Sequence, residues 1–391
     1  MGNRVGIEGS IAASEAVRLA NTDVVAAYPI TPQTHIVEHL SEFVNNGELD
    51  AEFIPVESEH SAMSVCIGSS AAGARTFTCT SSQGLALMSE IVYIAPVLRL
   101  PIVMVLANRS LSSPLSIWND HTDVMSIRDC GWIQVFVENG QETFDHVLWA
   151  FRVGEDRRVL HPVIVNMDGF ILTHTIEPVE LLDQETVDEF LPPYEPLFRL
   201  HPDKPVTMGC FAMPNLYTET KKAQDEALKG TMPTILKGWK EFGDLTGRYY
   251  NPIETYEAED AEVLLVTMGS FGGTACAAVD MMREKGKAVG VIKIRLWRPF
   301  PFDAFRKAAE HVRALVVIDR ATSYGGPGGP VAAELRAALY GEEKQPPVIN
   351  FIAGLAGRDV APQDFERMAD QAFEGTAKTR QEDYQIYGVR E

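Results

Sequence analysis

Two acids, Glu57 and Glu59, open the stretch Val56-Glu57-Ser58-Glu59-His60-Ser61-Ala62, and a run of small residues follows them: Ala62, Ser64, Gly68, Ser69, Ser70, Ala71 and Ala72. Either acid serves as an ordinary partner for a helix dipole. A pair at the mouth of an otherwise apolar helix also suits a proton-handling carboxyl, since burial disfavours the charged form. The small side chains let another backbone or a flat ring come close. Three further loops carry polar groups in useful places. Tyr28-Pro29-Ile30-Thr31-Pro32-Gln33-Thr34 holds a hydroxyl, Thr31, between two prolines that fix the backbone. A rigid turn capping the next helix explains it equally. Thr80-Ser81-Ser82-Gln83-Gly84 reads as a polar nest at a helix start, or as a plain capped turn. Asn108-Arg109-Ser110 places an arginine after an apolar strand, where its planar fork suits a carboxylate, or an exposed ion pair.

The surrounding pattern supplies the frame for these loops. Val24–Tyr28, Ile102–Ala107 and Val163–Met167 read as buried strands, and Thr76–Thr78 as a shorter one. Ser10–Leu19, Glu59–Ala72, Leu85–Ile91 and Gln141–Val153 have helical spacing. Alternating strands and helices imply a parallel sheet covered on both faces, with ligands held by the loops beyond the strands' carboxyl ends. The pattern weakens from Glu177 to Glu259, which reads as a long connection containing some helix around Tyr217–Phe242. It resumes with strand Glu262–Thr267, turn Gly269–Gly273, helix Thr274–Lys285 and strand Ala288–Arg295, a βαβ unit. Strand Arg313–Ile318, the glycine-rich turn Tyr324–Gly329 and helix Val331–Leu339 follow. The expected division is residues 1–190, a connecting segment 191–258, a second domain 259–377 and a polar tail 378–391.

A net charge of −20 over 391 residues excludes a phosphate-backbone surface and a polybasic membrane contact. The apolar stretch Ile91–Ala107 is interrupted by Pro96, Arg99 and Pro101, so no spanning helix is expected there, and the first residues lack a signal-peptide run or a complete myristoylation pattern at Gly2. Cys66, Cys79, Cys130, Cys210 and Cys276 are scattered, with no C-x-x-C pair. That points to reduced thiols, a cytoplasmic setting and no iron–sulfur cluster held by this chain alone. Asn119-Asp120-His121-Thr122-Asp123 lacks a second histidine at ligand spacing and reads as a structural loop, so no metal is expected on this chain. Gly269-Ser270-Phe271-Gly272-Gly273 resembles a phosphate-binding turn but is not G-x-G-x-x-G. The Tyr324–Pro330 run reads as a loop at a domain or subunit contact.

In order and spacing, YPITPQT, VESEHSA, TSSQGLALM, LPIVMVLANRS, NDHTDVMSIRDCGWIQ and DGFILTHTIEPVEL, then VTMGSFGGT, RLWRPFP and FIAGLAGRDV, resemble the alpha subunit of the 2-oxoacid:ferredoxin oxidoreductases, the pyruvate:ferredoxin oxidoreductase group. The resemblance implies an α/β chain: a thiamine diphosphate-binding, pyrimidine-type doubly wound domain followed by a transketolase C-terminal-like domain. It implies that Glu59 hydrogen-bonds the pyrimidine ring and favours the tautomer that activates the thiazolium carbon. It assigns Thr31 and Arg109 to the 2-oxoacid carboxylate, and places Ser82, Gln83 and Gly84 beside the cofactor. No GDG motif for the diphosphate's metal occurs. The resemblance therefore implies a beta subunit that holds the diphosphate, with Mg2+ and 4Fe-4S clusters on partner subunits rather than on this chain. It further implies gamma and delta ferredoxin-like subunits, coenzyme A, and ferredoxin or a NAD-reducing flavin subunit as acceptor, with activity only in the complex. One arginine and one threonine suit a monocarboxylate: pyruvate, a branched-chain 2-oxoacid or an aryl acid such as phenylglyoxylate. The rival readings are a non-catalytic nucleotide-binding or scaffold subunit and a non-redox thiamine diphosphate decarboxylase.

Overall fold

The computed structural model describes residues 3–209, 211–375 and 384–390; Gly2, Cys210 and the part of the polar tail at 378–383 and 391 lie outside them. In chain order the strands are β1 (Asn3–Glu8), β2 (Val24–Ala27), β3 (Glu52–Pro55), β4 (Thr76–Thr80), β5 (Val103–Asn108), β6 (Ile133–Phe136), β7 (Val163–Asp168) and β8 (Ile176–Leu181). They continue with β9 (Ile253–Tyr256), β10 (Val263–Met268), β11 (Val289–Ile294), β12 (Leu296–Arg298), β13 (Ala314–Asp319), β14 (Val348–Ile352) and β15 (Gln385–Ile386). The first large sheet runs β12-β6-β7-β5-β4-β2-β3, parallel throughout except for β12. The second runs β15-β14-β13-β10-β11-β9, with only β9 antiparallel. β1 and β8 form a small antiparallel ribbon.

The two-residue period of the strands divides the core. Val103, Val105 and Ala107 of β5 face one apolar cluster, built with helices Gly9–Leu19 and Gly140–Gly154, while Met104 and Leu106 face another. That second cluster also contains Leu264, Val266 and Met268 from β10, so a single apolar layer is shared by the two sheets. Val263 and Leu265 point the other way, into a third cluster with helices Phe271–Arg283 and Pro362–Phe373. Both sheets are thus covered on both faces, as near-continuous Val/Ile/Leu strands require.

The stretch read as a long connection carries more structure than its composition suggested. It holds helices Gln184–Phe190, Pro214–Lys229 and Met232–Thr246, the strand β9 that edges the second sheet, and the irregular run between. The helix-like segment around Tyr217–Phe242 is two helices broken at Gly230 and Thr231. In the second of them Ile235, Trp239 and Phe242 recur at helical spacing and are buried, with Trp239 stacked on Trp149 at 4.9 Å between ring centroids. Each such side chain contributes about 1.5–3 kcal/mol on leaving water. The described part of the tail adds β15 to the second sheet. Among the described residues no helix is long and apolar enough to cross a membrane.

Candidate active site

The four chemistry-bearing loops leave the carboxyl ends of β2, β3, β4 and β5, which are neighbours in the order β5-β4-β2-β3. From β2 the chain moves to β3 on one side and then to β4 on the other. The loops therefore flank the point where strand order reverses, the place such sheets hold ligands.

Glu59 is the first residue of helix Glu59–Ala72. The Ser58 side chain caps that helix by accepting the Ser61 N–H at 3.2 Å, and Gly73 ends it in the left-handed conformation at φ 102°. The cap separates the two acids. Glu57 lies outside it, exposed, and a hydrogen bond of 2.5 Å from Ser61 Oγ holds its carboxyl below the ordinary range. Glu59 is turned inward and is only 6% exposed. Among the described residues, no group hydrogen-bonds its carboxyl. Its immediate neighbour is the backbone of Gly84, where a Cβ would overlap Thr80 Oγ1 and lie 2.7 Å from Glu59 Oε1. Gly84 is thus glycine because Glu59 occupies the space. Gly84→Ala is expected to cost about 1–3 kcal/mol of stability by overpacking. A thermal melt reads it; an unchanged melting temperature would mean that the neighbours give way without cost.

Ser82 begins helix Ser82–Val92 with a φ of 46°, a conformation that costs a non-glycine residue about 1–3 kcal/mol. Its hydroxyl lies 2.6 Å from both the Ser110 carbonyl and Gln83 Oε1, and it can donate to one at a time. Arg109 is 6% exposed; its Nη1 donates to the Thr31 carbonyl at 2.8 Å and its Nε to the Ser116 carbonyl at 2.9 Å. Burial pulls its pKa down, opposed by the nearby Asp123 carboxyl. Thr31 itself is exposed, while Gln33 beside it is buried and ties the loop to the Tyr28 carbonyl at 2.8 Å. The structure therefore joins Thr31 to Arg109, Ser82 to Ser110, and Gly84 to Glu59 beyond the carboxyl ends of neighbouring strands.

One residue that sequence reasoning passed over lies at the centre of this arrangement. Asp123 is fully buried and accepts N–H groups from Ser82, Arg109 and Val124, plus the Asn108 side chain. Burial pushes its carboxyl up to about 7 against those hydrogen bonds. The signal for it was an Asp in the first turn of a short helix, Thr122–Ser126, whose N-cap position, His121, makes no side-chain cap bond. Asp120, in the same loop, caps Thr122 as an acid in a structural loop should.

The turn Gly269–Gly273 does not present an open anion site. Asp168 Oδ2 accepts the Ser270 N–H at 2.8 Å, and a Cβ on Gly269 would fall 2.8 Å from the same oxygen. An internal carboxylate thus stands where a phosphate would. The helix after the Tyr324–Pro330 run is plugged likewise, Asp319 accepting the N–H groups of Val331 at 2.8 Å and Ala332 at 3.1 Å. Glu138, Glu142 and Glu254 come together with ligand-like spacing, but Lys293 and Arg295 already neutralise them at 2.6–3.2 Å. Cys66 and Cys130 are buried free thiols, and burial pushes both up to about 12, so neither is a thiolate at neutral pH.

Residues 15–235 match the family "Pyruvate flavodoxin/ferredoxin oxidoreductase, thiamine diP-bdg" and residues 261–365 match "Pyruvate:ferredoxin oxidoreductase core domain II". The chain is 49% identical to pyruvate synthase subunit PorA of Methanothermobacter thermautotrophicus over 93% of each chain. It is 43% identical to the PorA of Thermotoga maritima over 99% of this chain and 98% of that one. It is also 48% identical to ketoisovalerate oxidoreductase subunit VorA of Pyrococcus furiosus, covering 93% and 92%. In fold it is similar to the 2-oxoglutarate:ferredoxin oxidoreductase of Magnetococcus marinus, with a TM-score of 0.72 at 18% identity over 95% of this chain and 66% of that one. A split-gene transketolase gives a TM-score of 0.54 at 14% identity over 95% of this chain and 99% of that one. The chain belongs to the pyruvate flavodoxin/ferredoxin oxidoreductase family, as a subunit of a thiamine diphosphate-dependent 2-oxoacid:ferredoxin oxidoreductase.

Proposed function

We propose that this chain supplies the cofactor-activating half of a pyruvate-oxidising active site, Glu59 facing the aminopyrimidine of thiamine diphosphate and Arg109 with Thr31 facing the 2-oxoacid carboxylate. The observation that carries this reading is the Glu59 carboxyl: buried, pressed against Gly84, and without a hydrogen-bond partner among the described residues. The donor set around it fits a polar heteroaromatic ring. Thr80 Oγ1, Ser81 Oγ and Ser110 Oγ are buried polar atoms with no protein partner, and Ser82, Gln83 and Gly84 form the turn beside them. When bound, the cofactor supplies the nucleophilic carbon and the electron sink for decarboxylation. Glu59 holds a proton toward a ring nitrogen. Arg109, with Nε and Nη1 committed to backbone carbonyls, directs Nη2 at a carboxylate from a largely dehydrated position.

The reading includes a beta subunit that brings the diphosphate site, Mg2+ and iron–sulfur clusters, ferredoxin-like gamma and delta subunits, coenzyme A as acyl acceptor, ferredoxin as electron acceptor, and a cytoplasmic location. Pyruvate is the proposed substrate, supported by the PorA relatives. A branched-chain 2-oxoacid is the second reading, favoured by the VorA relative at a comparable 48%. The test is CoA-dependent dye reduction by the purified native complex with pyruvate, 2-oxoisovalerate, phenylglyoxylate and 2-oxoglutarate. Pyruvate is expected to have the highest kcat/KM. A faster 2-oxoisovalerate reaction replaces the first reading with the second; no CoA-dependent turnover with any of them ends both.

A further inference from the structure

The loop Asn119-Asp120-His121-Thr122-Asp123 has no part in the reading above, yet it bonds to two pieces of it, the backbone of Ser82 and that of Arg109. Asp123 Oδ2 accepts the backbone N–H of Ser82 at 3.2 Å and that of Arg109 at 2.9 Å. Asp123 Oδ1 accepts the N–H of Val124 at 2.7 Å and Asn108 Nδ2 at 3.1 Å. The Val124 bond is local, to the next residue in the chain. The other three tie the turn after β4 to the loop after β5, beyond the carboxyl ends of the two strands, where their parallel ladder has stopped at Thr80 and Leu106. The loop is itself anchored. Asn119 Nδ2 and His121 Nε2 reach Asp168 Oδ1 at 2.9 and 2.8 Å, the His121 N–H donates to the Arg320 carbonyl at 2.8 Å, and the Ala356 N–H donates to Asp120 Oδ2 at 3.2 Å. Its supports therefore come from both sheets: Asp168 ends β7 of the first, while Arg320 and Ala356 follow β13 and β14 of the second.

We propose that Asp123 is a positioning residue, fixing the backbone of Arg109 against the Ser82-Gln83-Gly84 turn and so setting the distance between the carboxylate-binding guanidinium and Glu59. This rests on the assignment of Arg109 to the 2-oxoacid carboxylate. The carbonyls of Thr31 and Ser116 hold the far end of the Arg109 side chain; Asp123 holds its root. The same oxygen holds Ser82 in its left-handed conformation, which is the residue two before Gly84. An amide of the same shape cannot do this. In Asp123→Asn one of the two oxygens becomes an NH2, which meets two N–H donors wherever the amide is turned.

The test is a double-mutant cycle on the assembled complex with Asp123→Asn, Arg109→Ala and both, assayed with pyruvate and checked for assembly by thermal unfolding and bound cofactor content. Asp123→Asn is expected to raise KM for pyruvate about tenfold or more, with a smaller change in kcat, because hydrogen bonds that orient the binding arginine are lost and a buried donor is set against N–H groups. In the Arg109→Ala background the same change is expected to add less than about twofold, since residues acting through one another are not additive. Fully multiplicative defects, or an unchanged KM in Asp123→Asn, overturn the positioning role. A normal KM in Arg109→Ala alone overturns the assignment of Arg109, which is the separate and prior claim. Should the Asp123→Asn complex fail to assemble, Asp123→Ser, smaller and still an acceptor, enters the same cycle.

Discussion

Replacing Glu59 with glutamine in the assembled complex is expected to lower kcat by about 10²–10⁴-fold, the usual contribution of a positioned proton-transfer group. The substitution isolates the chemistry. Glutamine has the same shape, so the contact with Gly84 survives, and no ion pair is broken, because no described residue bonds the carboxyl. Unfolding stability is therefore expected to stay within about 1 kcal/mol of the parent, as for a substitution outside the large-effect mechanisms. A second measurement separates activation from binding. Exchange of the thiazolium C–H proton of the bound cofactor, followed by NMR after quenching, should slow with kcat, while cofactor content stays near one per site. Turnover within about threefold of the parent would refute the catalytic role of Glu59, and loss of cofactor with normal exchange in the remainder would make it a binding residue only.

Much of the site was legible because its signals are local. Helix Glu59–Ala72 has the bounds its spacing predicts, since a serine cap before it and a left-handed glycine after it are written in adjacent residues. The strand-end positions of Thr31, Arg109 and the Ser82 turn follow from apolar runs of strand length bounded by prolines and polar residues. What local pattern left open was which acid matters. Glu57 and Glu59 are two residues apart, and only the Ser58 cap and the packing against Gly84 turn one outward and the other in.

The parts that stayed hidden depend on long-range closure. Asp123 reads as a cap because the Ser82 and Arg109 N–H groups that define it lie 41 and 14 residues away in sequence. The Gly269–Gly273 turn has the local form of an anion cradle, but the carboxylate that fills it comes from Asp168, 102 residues earlier. β12 leaves its own unit to pair with β6, an edge choice that no property of Leu296–Arg298 announces. The helix Met232–Thr246 was blurred by its polar neighbour Pro214–Lys229, which has no buried residue at all.

Asp168→Ala is expected to cost about 3–5 kcal/mol of unfolding free energy, the loss typical of stripping a buried cation of its partner. Asp168 accepts from Arg320 Nη1 at 2.5 Å, from His121, Asn119 and the Ser270 N–H at 2.8–2.9 Å, and from the Ser270 hydroxyl. Arg320 is 2% exposed, so without the carboxylate its charge has no solvent to turn to. Burial alone would raise the Asp168 pKa, but the Arg320 and His121 fields and the hydrogen bonds outweigh it and hold the group well below the ordinary carboxylate range. A depressed folded-state pKa means that this stabilisation is complete above the unfolded value near about 4 and drains away as pH falls toward the folded one. Denaturant melts should therefore show the parent losing stability on the acid side below about pH 4, with a shallower slope in Asp168→Asn. Because breaking the pair leaves an unpaired charge, Arg320→Met should recover part of the loss when combined with Asp168→Ala. An Asp168→Ala variant within about 1 kcal/mol of the parent would show that the apolar layer shared by the two sheets, rather than this ion pair, joins them.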